Sequence, residues 1–271
     1  MARVHTRRQS YALNTTALDY AAHHEHLEIV KLLAPIPVPR SSTRNGVPPR
    51  GTLQGHTKYL SLALVQAVKV GNLQISEYLV SEGADVNFLD VSGGGPGGTP
   101  VYYAAGTKNL GLVQFFLAAG ADPNLQTNND YIPLFNATRN QNVEIVQALL
   151  AAGADIHVQN RNSLNVLGCC GTVELLLFFL ERGVDPNLQD RSGETPLHRA
   201  CGEEEAEFAM ASVELLLQFG AAATVETASR RGLTPVDIAI TEGYTEILEL
   251  LEPVVQSPDL KQKIAAWWEE T

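Results

Sequence analysis

The chain has no long hydrophobic run. Its most apolar stretch, Leu175–Leu180, falls far short of the ~18 residues needed to cross a bilayer and reads as a buried helix. The N-terminus, Met1-Ala2-Arg3-Val4-His5, lacks the apolar core of a signal peptide. Cysteine is scarce too: three thiols cannot build a disulfide framework and point to a reducing compartment. The sequons Asn14-Thr15-Thr16 and Asn136-Ala137-Thr138 are therefore read as chance matches. Adjacent Cys169 and Cys170 have no His or Cys partner at zinc spacing, and there is no Walker motif or nucleophile elbow. These absences lead us to expect a cytoplasmic or nuclear protein with no cofactor, no metal and no membrane association.

What the chain does contain is one phrase repeated five times. It reads Gly83-Ala84-Asp85-Val86-Asn87, Gly120-Ala121-Asp122-Pro123-Asn124, Gly153-Ala154-Asp155-Ile156-His157, Gly183-Val184-Asp185-Pro186-Asn187 and, more faintly, Gly220-Ala221-Ala222-Ala223-Thr224. The glycines lie 37, 33, 30 and 37 residues apart. A period in that range marks a solenoid of stacked supersecondary units. Thr99-Pro100, Thr195-Pro196 and Thr234-Pro235 open a first helix, where proline's missing N–H has no partner to lose. A strongly apolar second helix follows, as in Val143–Ala152 and Val213–Phe219, and each glycine falls where a helix end wants a left-handed residue.

Gly193-Glu194-Thr195-Pro196-Leu197-His198-Arg199-Ala200 closely resembles the defining phrase of the ankyrin repeat family. Thr16–Leu33 resembles a first repeat and Gly232–Leu248 a last one. The resemblance implies an all-α helical solenoid of about seven repeats with β-hairpin fingers, stacked with a right-handed twist. It also implies a scaffold for protein–protein interaction. We expect an N-terminal tail over 1–10, the repeats over 11–253 and a C-terminal capping helix over 254–271. In that helix Leu260, Ile264, Trp267 and Trp268 share one side. It should fold back near Ile247, Leu250 and Leu251 with at least one tryptophan buried.

Four departures from the repeat stand out. Residues 34–57 hold five prolines with serines and arginines, which reads as an irregular insertion. Ser92–Gly98 is a glycine-rich finger. It could cradle a phosphate, but the Gly-Lys-Ser/Thr of a P-loop is missing. The repeat carrying Gly168-Cys169-Cys170-Gly171 is about three residues short in its first helix, and Gly202–Glu207 adds about four to the next. His23, His24 and His26 have no third ligand to make a metal site.

The formal net charge is −11, yet residues 1–58 carry +5, which leaves −16 for the rest. Such an acidic body disfavours nucleic acid. Aligned to the repeat, most basic residues after position 58 fall on the concave side, on first helices or finger tips. We therefore expect a monomer that binds a protein partner, one bearing acidic residues, through Tyr103, Tyr131, Asn136, Arg139, Arg161, Arg191 and Arg199. Arginine with tyrosine is the usual chemistry of an interface hot spot. The alternative is a repeat-fold enzyme or small-molecule binder, with an aromatic, arginine and histidine groove closed by the 34–57 loop. Nothing in the sequence demands that chemistry.

Overall fold

A computed structural model describes residues 17–35, 50–92 and 97–270. The chain divides into two compact units, Met1–Ala154 and Asp155–Thr271. The helices come in pairs, and the cause is the repeating glycine. Gly83, Gly120, Gly153, Gly183 and Gly220 take φ of 98°, 88°, 90°, 78° and 97°. Nothing lies within 4 Å of where a Cβ would stand at any of them. The need for glycine is thus conformational rather than steric: the chain must leave the second helix through a left-handed turn.

In the first unit the pairs are α1 (17–23) with α2 (Leu27–Leu33), α3 (Arg50–Lys69) with α4 (Leu73–Ser81), α5 (Pro100–Ala105) with α6 (Leu110–Ala118), and α7 (Pro133–Arg139) with α8 (Val143–Ala151). First helices α3, α5 and α7 pack in one layer, and second helices α2, α4, α6 and α8 in another. The side chains of Asn72, Asn109 and Asn142 cap α4, α6 and α8, accepting from Ile75, Leu112 and Ile145 N–H. Between the layers Ile75, Leu79, Phe116, Phe135 and Leu149 are fully buried.

The second unit repeats the plan. A 3-10 turn (Val166–Cys169) pairs with α9 (Val173–Leu180), α10 (Pro196–Cys201) with α11 (Ala206–Gln218), and α12 (Pro235–Glu242) with α13 (Thr245–Leu251). The short fifth repeat thus keeps only a tight turn where its neighbours have a first helix. The insertion at Gly202–Glu207 leads into a second helix of 13 residues. His198 braces the sixth repeat. Its Nδ1 lies 3.1 Å from the Thr195 N–H, and its Nε2 lies 3.2 Å from the Leu233 carbonyl in the next repeat.

The expected fingers are present as tight closed turns rather than extended strands. Among the described residues the sole β-bridge pairs Asp90 with Gly98. Elsewhere each finger spans five residues, Thr127 to Tyr131, Asn160 to Leu164, Asp190 to Glu194 and Ser229 to Leu233; the first residue donates its N–H to the fifth carbonyl and accepts on its own carbonyl from the fourth N–H. The fourth residue of each turn has positive φ: Asp130, Ser163, Gly193 and Gly232. The first residue also anchors the turn. Thr127, Asn160 and Asp190 each accept two finger N–H groups on the side chain.

Two expectations change in detail. The irregular segment over 34–57 lies partly outside the described residues, but Arg50–Thr57 is helical as the start of α3. No proline lies within Arg50–Lys69, so every residue of α3 keeps its backbone N–H and the helical ladder extends backwards from the repeat. The final helix, α14 (Pro258–Glu270), packs chiefly on α12, the first helix of the last pair, rather than on Ile247, Leu250 and Leu251. Leu260 and Ile264, one turn apart, are buried there, and Lys263 pairs with Asp237 at 2.6 Å. Trp267 and Trp268 are both half-buried, their rings meeting edge to face at 5.1 Å.

Candidate functional site

The finger-and-first-helix side of the first unit is organised around Lys69. Its ammonium is 3.2 Å from Asp90 and 4.5 Å from the centroid of the Tyr103 ring. Asp90, the first residue of its finger, is buried. Burial works against its charge. Hydrogen bonds from the Ser92 hydroxyl and N–H, together with Lys69, outweigh that and hold its carboxyl below the ordinary range. Asp19 moves the other way. Burial, reinforced by the nearby Asp90 charge, pushes it up to about 6, and its Oδ1 is buried without a hydrogen-bond partner.

Tyr103 is half-buried, with the finger backbone at Gly98 pressed against it. A Cβ at Gly98 would stand 2.6 Å from the Tyr102 ring and 3.0 Å from the Tyr103 ring. Tyr131 is half-buried on the next finger, its ring 5.2 Å from Phe135 in an edge-to-face contact. Asn136 is committed to structure: its amide donates to the Tyr102 carbonyl at 2.8 Å and ties α7 to α5. Arg139, at the end of α7, is exposed.

In the second unit Arg161 and Arg191 are both exposed, each in the second position of its finger. The two fingers are stitched together, since the Arg191 N–H donates to the Asn162 carbonyl at 2.7 Å. Arg199 is partly exposed and ion-paired instead. It donates to Asp190 at 2.8 Å, with Glu194 at 3.9 Å. Its Nε is buried without a partner, beside Gly168 of the shortened repeat.

Of the seven residues expected to bind a partner, Arg139, Arg161 and Arg191 are exposed and Tyr103 and Tyr131 half-exposed. Asn136 and Arg199 are engaged by partners within the chain, the Tyr102 carbonyl and Asp190. The sequence reading missed Asp90, Asp190 and Asp19. For Asp90 and Asp190 the available signal was an acid at the first finger position with a basic residue on a first helix, Lys69 or Arg199; Asp19, on α1, carries no such signal.

Three groups that a groove enzyme could use, His198, Cys170 and Cys201, are engaged in the fold or held in their neutral form. His198 uses both ring nitrogens in its brace, and desolvation lowers its pKa. Burial pushes the Cys201 thiol up to about 12 and raises Cys170 well above the ordinary thiol range, so neither is a thiolate at neutral pH. Among the described residues no group of three or more His, Cys, Asp or Glu is placed to hold a metal ion. His24 stacks on His26, meets His23 edge-on and lies tilted against Tyr20. No described helix is long and apolar enough to cross a membrane.

The family pattern "Ankyrin repeats (3 copies)" matches residues 64–160 and again 165–261, and the single "Ankyrin repeat" pattern matches 14–34. The chain belongs to the ankyrin repeat family. Repeats of this family are generally protein-interaction scaffolds. Similar curated proteins include a palmitoyltransferase AKR1 of Lachancea kluyveri, 26% identical over 193 residues, which are 71% of this chain and 21% of that protein. The human mitochondrial disaggregase is 46% identical over 63 residues, 23% of this chain and 8% of that protein. A putative ankyrin repeat protein of Rickettsia felis is 35% identical over 85 residues, 30% of this chain and 36% of that protein. The ankyrin chain thus spans about a fifth or less of the first two relatives.

Proposed function

We propose that this ankyrin repeat protein is a binding scaffold that recognises a protein partner through its finger-and-first-helix side, the concave side in the family, and performs no chemistry of its own. One observation carries the reading: Tyr103 and Tyr131 keep half-exposed rings on successive repeats whose cores are otherwise closed. Half-exposed aromatic rings on a rigid support offer contact area at little entropic cost.

The test is site-specific photo-crosslinking in cells. A crosslinker replaces Arg139 or Ser192 on the finger-and-first-helix side, or Glu144 or Glu214 on second helices. A partner captured from the first pair of positions and not the second supports the reading, and so does its loss on Tyr103→Ala with Tyr131→Ala. Capture only from the second-helix positions would refute it.

A further inference from the structure

We propose that Arg161, Arg191 and Arg230 form a strip that binds an extended acidic peptide segment along successive finger tips of the second unit. The inference rests on the scaffold reading above and specifies the chemistry of its partner.

The three arginines occupy one structural position. Each follows the residue that closes its finger: Asn160, Asp190 and Ser229. Each finger is also stitched to the one before it, Arg191 N–H to the Asn162 carbonyl at 2.7 Å and Arg230 N–H to the Ser192 carbonyl at 2.8 Å. Their backbones therefore form a hydrogen-bonded row that fixes where the side chains start. All three are exposed, as is Arg231 beside Arg230. The row is confined to this unit, because the same position holds Val91 and Asn128 in the first.

Charge makes the row conspicuous. Residues 155–271 hold eight Lys and Arg against 20 Asp and Glu, a net of −12. Half of those eight cations sit on three finger tips. Arg191 and Arg230 supply the charge on which the strip depends, and the acids within their fingers do not cancel it: the Asp190 side chain is only 6% exposed, its two oxygens taken by the Ser192 and Glu194 N–H groups and by Arg199. Glu194 faces Arg199 as well.

Peptide carboxylates match this pattern. A guanidinium presents a planar donor fork suited to a carboxylate. Beyond about 8 Å, at physiological salt, the surrounding charge is largely screened. A short acidic segment lying on the tips therefore feels mainly the arginines. A nucleic acid carries its charge continuously past the tips and meets the acidic body. A row of tips joined finger to finger by backbone hydrogen bonds also suits an extended chain.

The experiment uses the full chain and fluorescence anisotropy. The probe is a labelled peptide of about 12 residues alternating Glu and Ser, with a Gln-for-Glu control and a single-stranded oligonucleotide of equal charge, at physiological salt, where the acidic body is screened. The acidic peptide is expected to bind and the Gln control not to. Arg191→Glu with Arg230→Glu should weaken binding at least about ten-fold. The charge-matched pair Arg182→Glu with Lys261→Glu, away from the fingers, should weaken it far less. Helical content and melting are checked for both, and single Arg191→Gln serves if the double variant misfolds. The proposal falls if the acidic peptide does not bind, if both double variants weaken it equally, or if the oligonucleotide binds more tightly. Partner crosslinking from Arg139 or Ser192 without acidic-peptide binding would remove only the acidic assignment and leave the scaffold reading standing.

Discussion

The side chain of Asn87 accepts a hydrogen bond at 2.8 Å from the backbone N–H of Asp122, in the next repeat. Its amide also donates to the Gly120 carbonyl at 3.2 Å. The asparagine of the repeated phrase is a staple, and Asn187 makes the same bond to Gly220 at 3.3 Å. Asn87→Ala leaves one donor and one acceptor without these partners at a site open to water. We expect a loss of about 1 kcal/mol, read from urea unfolding.

Lys69→Met should cost more, because it leaves the buried Asp90 carboxylate without its cation. The expected loss is about 1–3 kcal/mol at neutral pH. Asp90 is held below its ordinary value of 3.8, so the stability it contributes is present above that pH and fades as pH falls through the lower folded value. In the Lys69→Met variant this fading begins at higher pH. Acid titration of the far-UV circular dichroism signal measures the shift.

Asp19 predicts the reverse trend. Its pKa rises from 3.8 to about 6 in the fold, so folding favours the protonated acid. That contribution is full below 3.8 and is lost as pH rises through about 6. Asp19→Asn, which carries no charge, should be more stable than the natural chain at pH 7 by on the order of 1 kcal/mol, solvent screening included. The two proteins should converge in acid; equal melting at neutral pH would contradict the assignment.

Ser163 holds φ of 58° at the finger position that Gly193 and Gly232 fill elsewhere. Ser163→Gly should stabilise the second unit by up to about 1 kcal/mol, since a left-handed backbone costs a non-glycine residue roughly that much. Differential scanning calorimetry would show a raised Tm.

Ile264 is fully buried where α14 meets α12. Ile264→Ala should cost about 2–4 kcal/mol and loosen the end of the second unit. Both tryptophans of the chain lie on this helix. A red shift in their emission should therefore precede the global unfolding seen by circular dichroism.

The repeat count and pairing were legible because one requirement recurs: a left-handed residue after each apolar helix, which only glycine meets at little cost. The same logic exposed the shortened fifth repeat. The destinations of side chains were less legible. Asn136 and Arg199 lie on first helices and read as surface groups, yet the Tyr102 carbonyl and Asp190 claim them. Nor does local sequence show that a Thr, an Asn and an Asp perform one task at positions 127, 160 and 190. Their shared role is to accept N–H groups within the turn, and side chains of different type do that equally well. The attachment of α14 to α12 rather than α13 was hidden for another reason. The spacing of Leu260 and Ile264 identifies the buried face but not the surface it meets.

The staples have a kinetic consequence. Asn87 to Gly120 spans 33 residues, and Asn187 to Gly220 spans 33 as well. The sequence distance that each stitch must close is thus set by the repeat and not by the length of the protein. Loop-closure entropy per stitch stays constant as repeats are added. Contact order relative to chain length therefore falls as such a chain lengthens, and folding need not slow. On the ribosome, each asparagine waits only for the following glycine to emerge before its repeat can be closed, so the chain is suited to folding in step with its own synthesis.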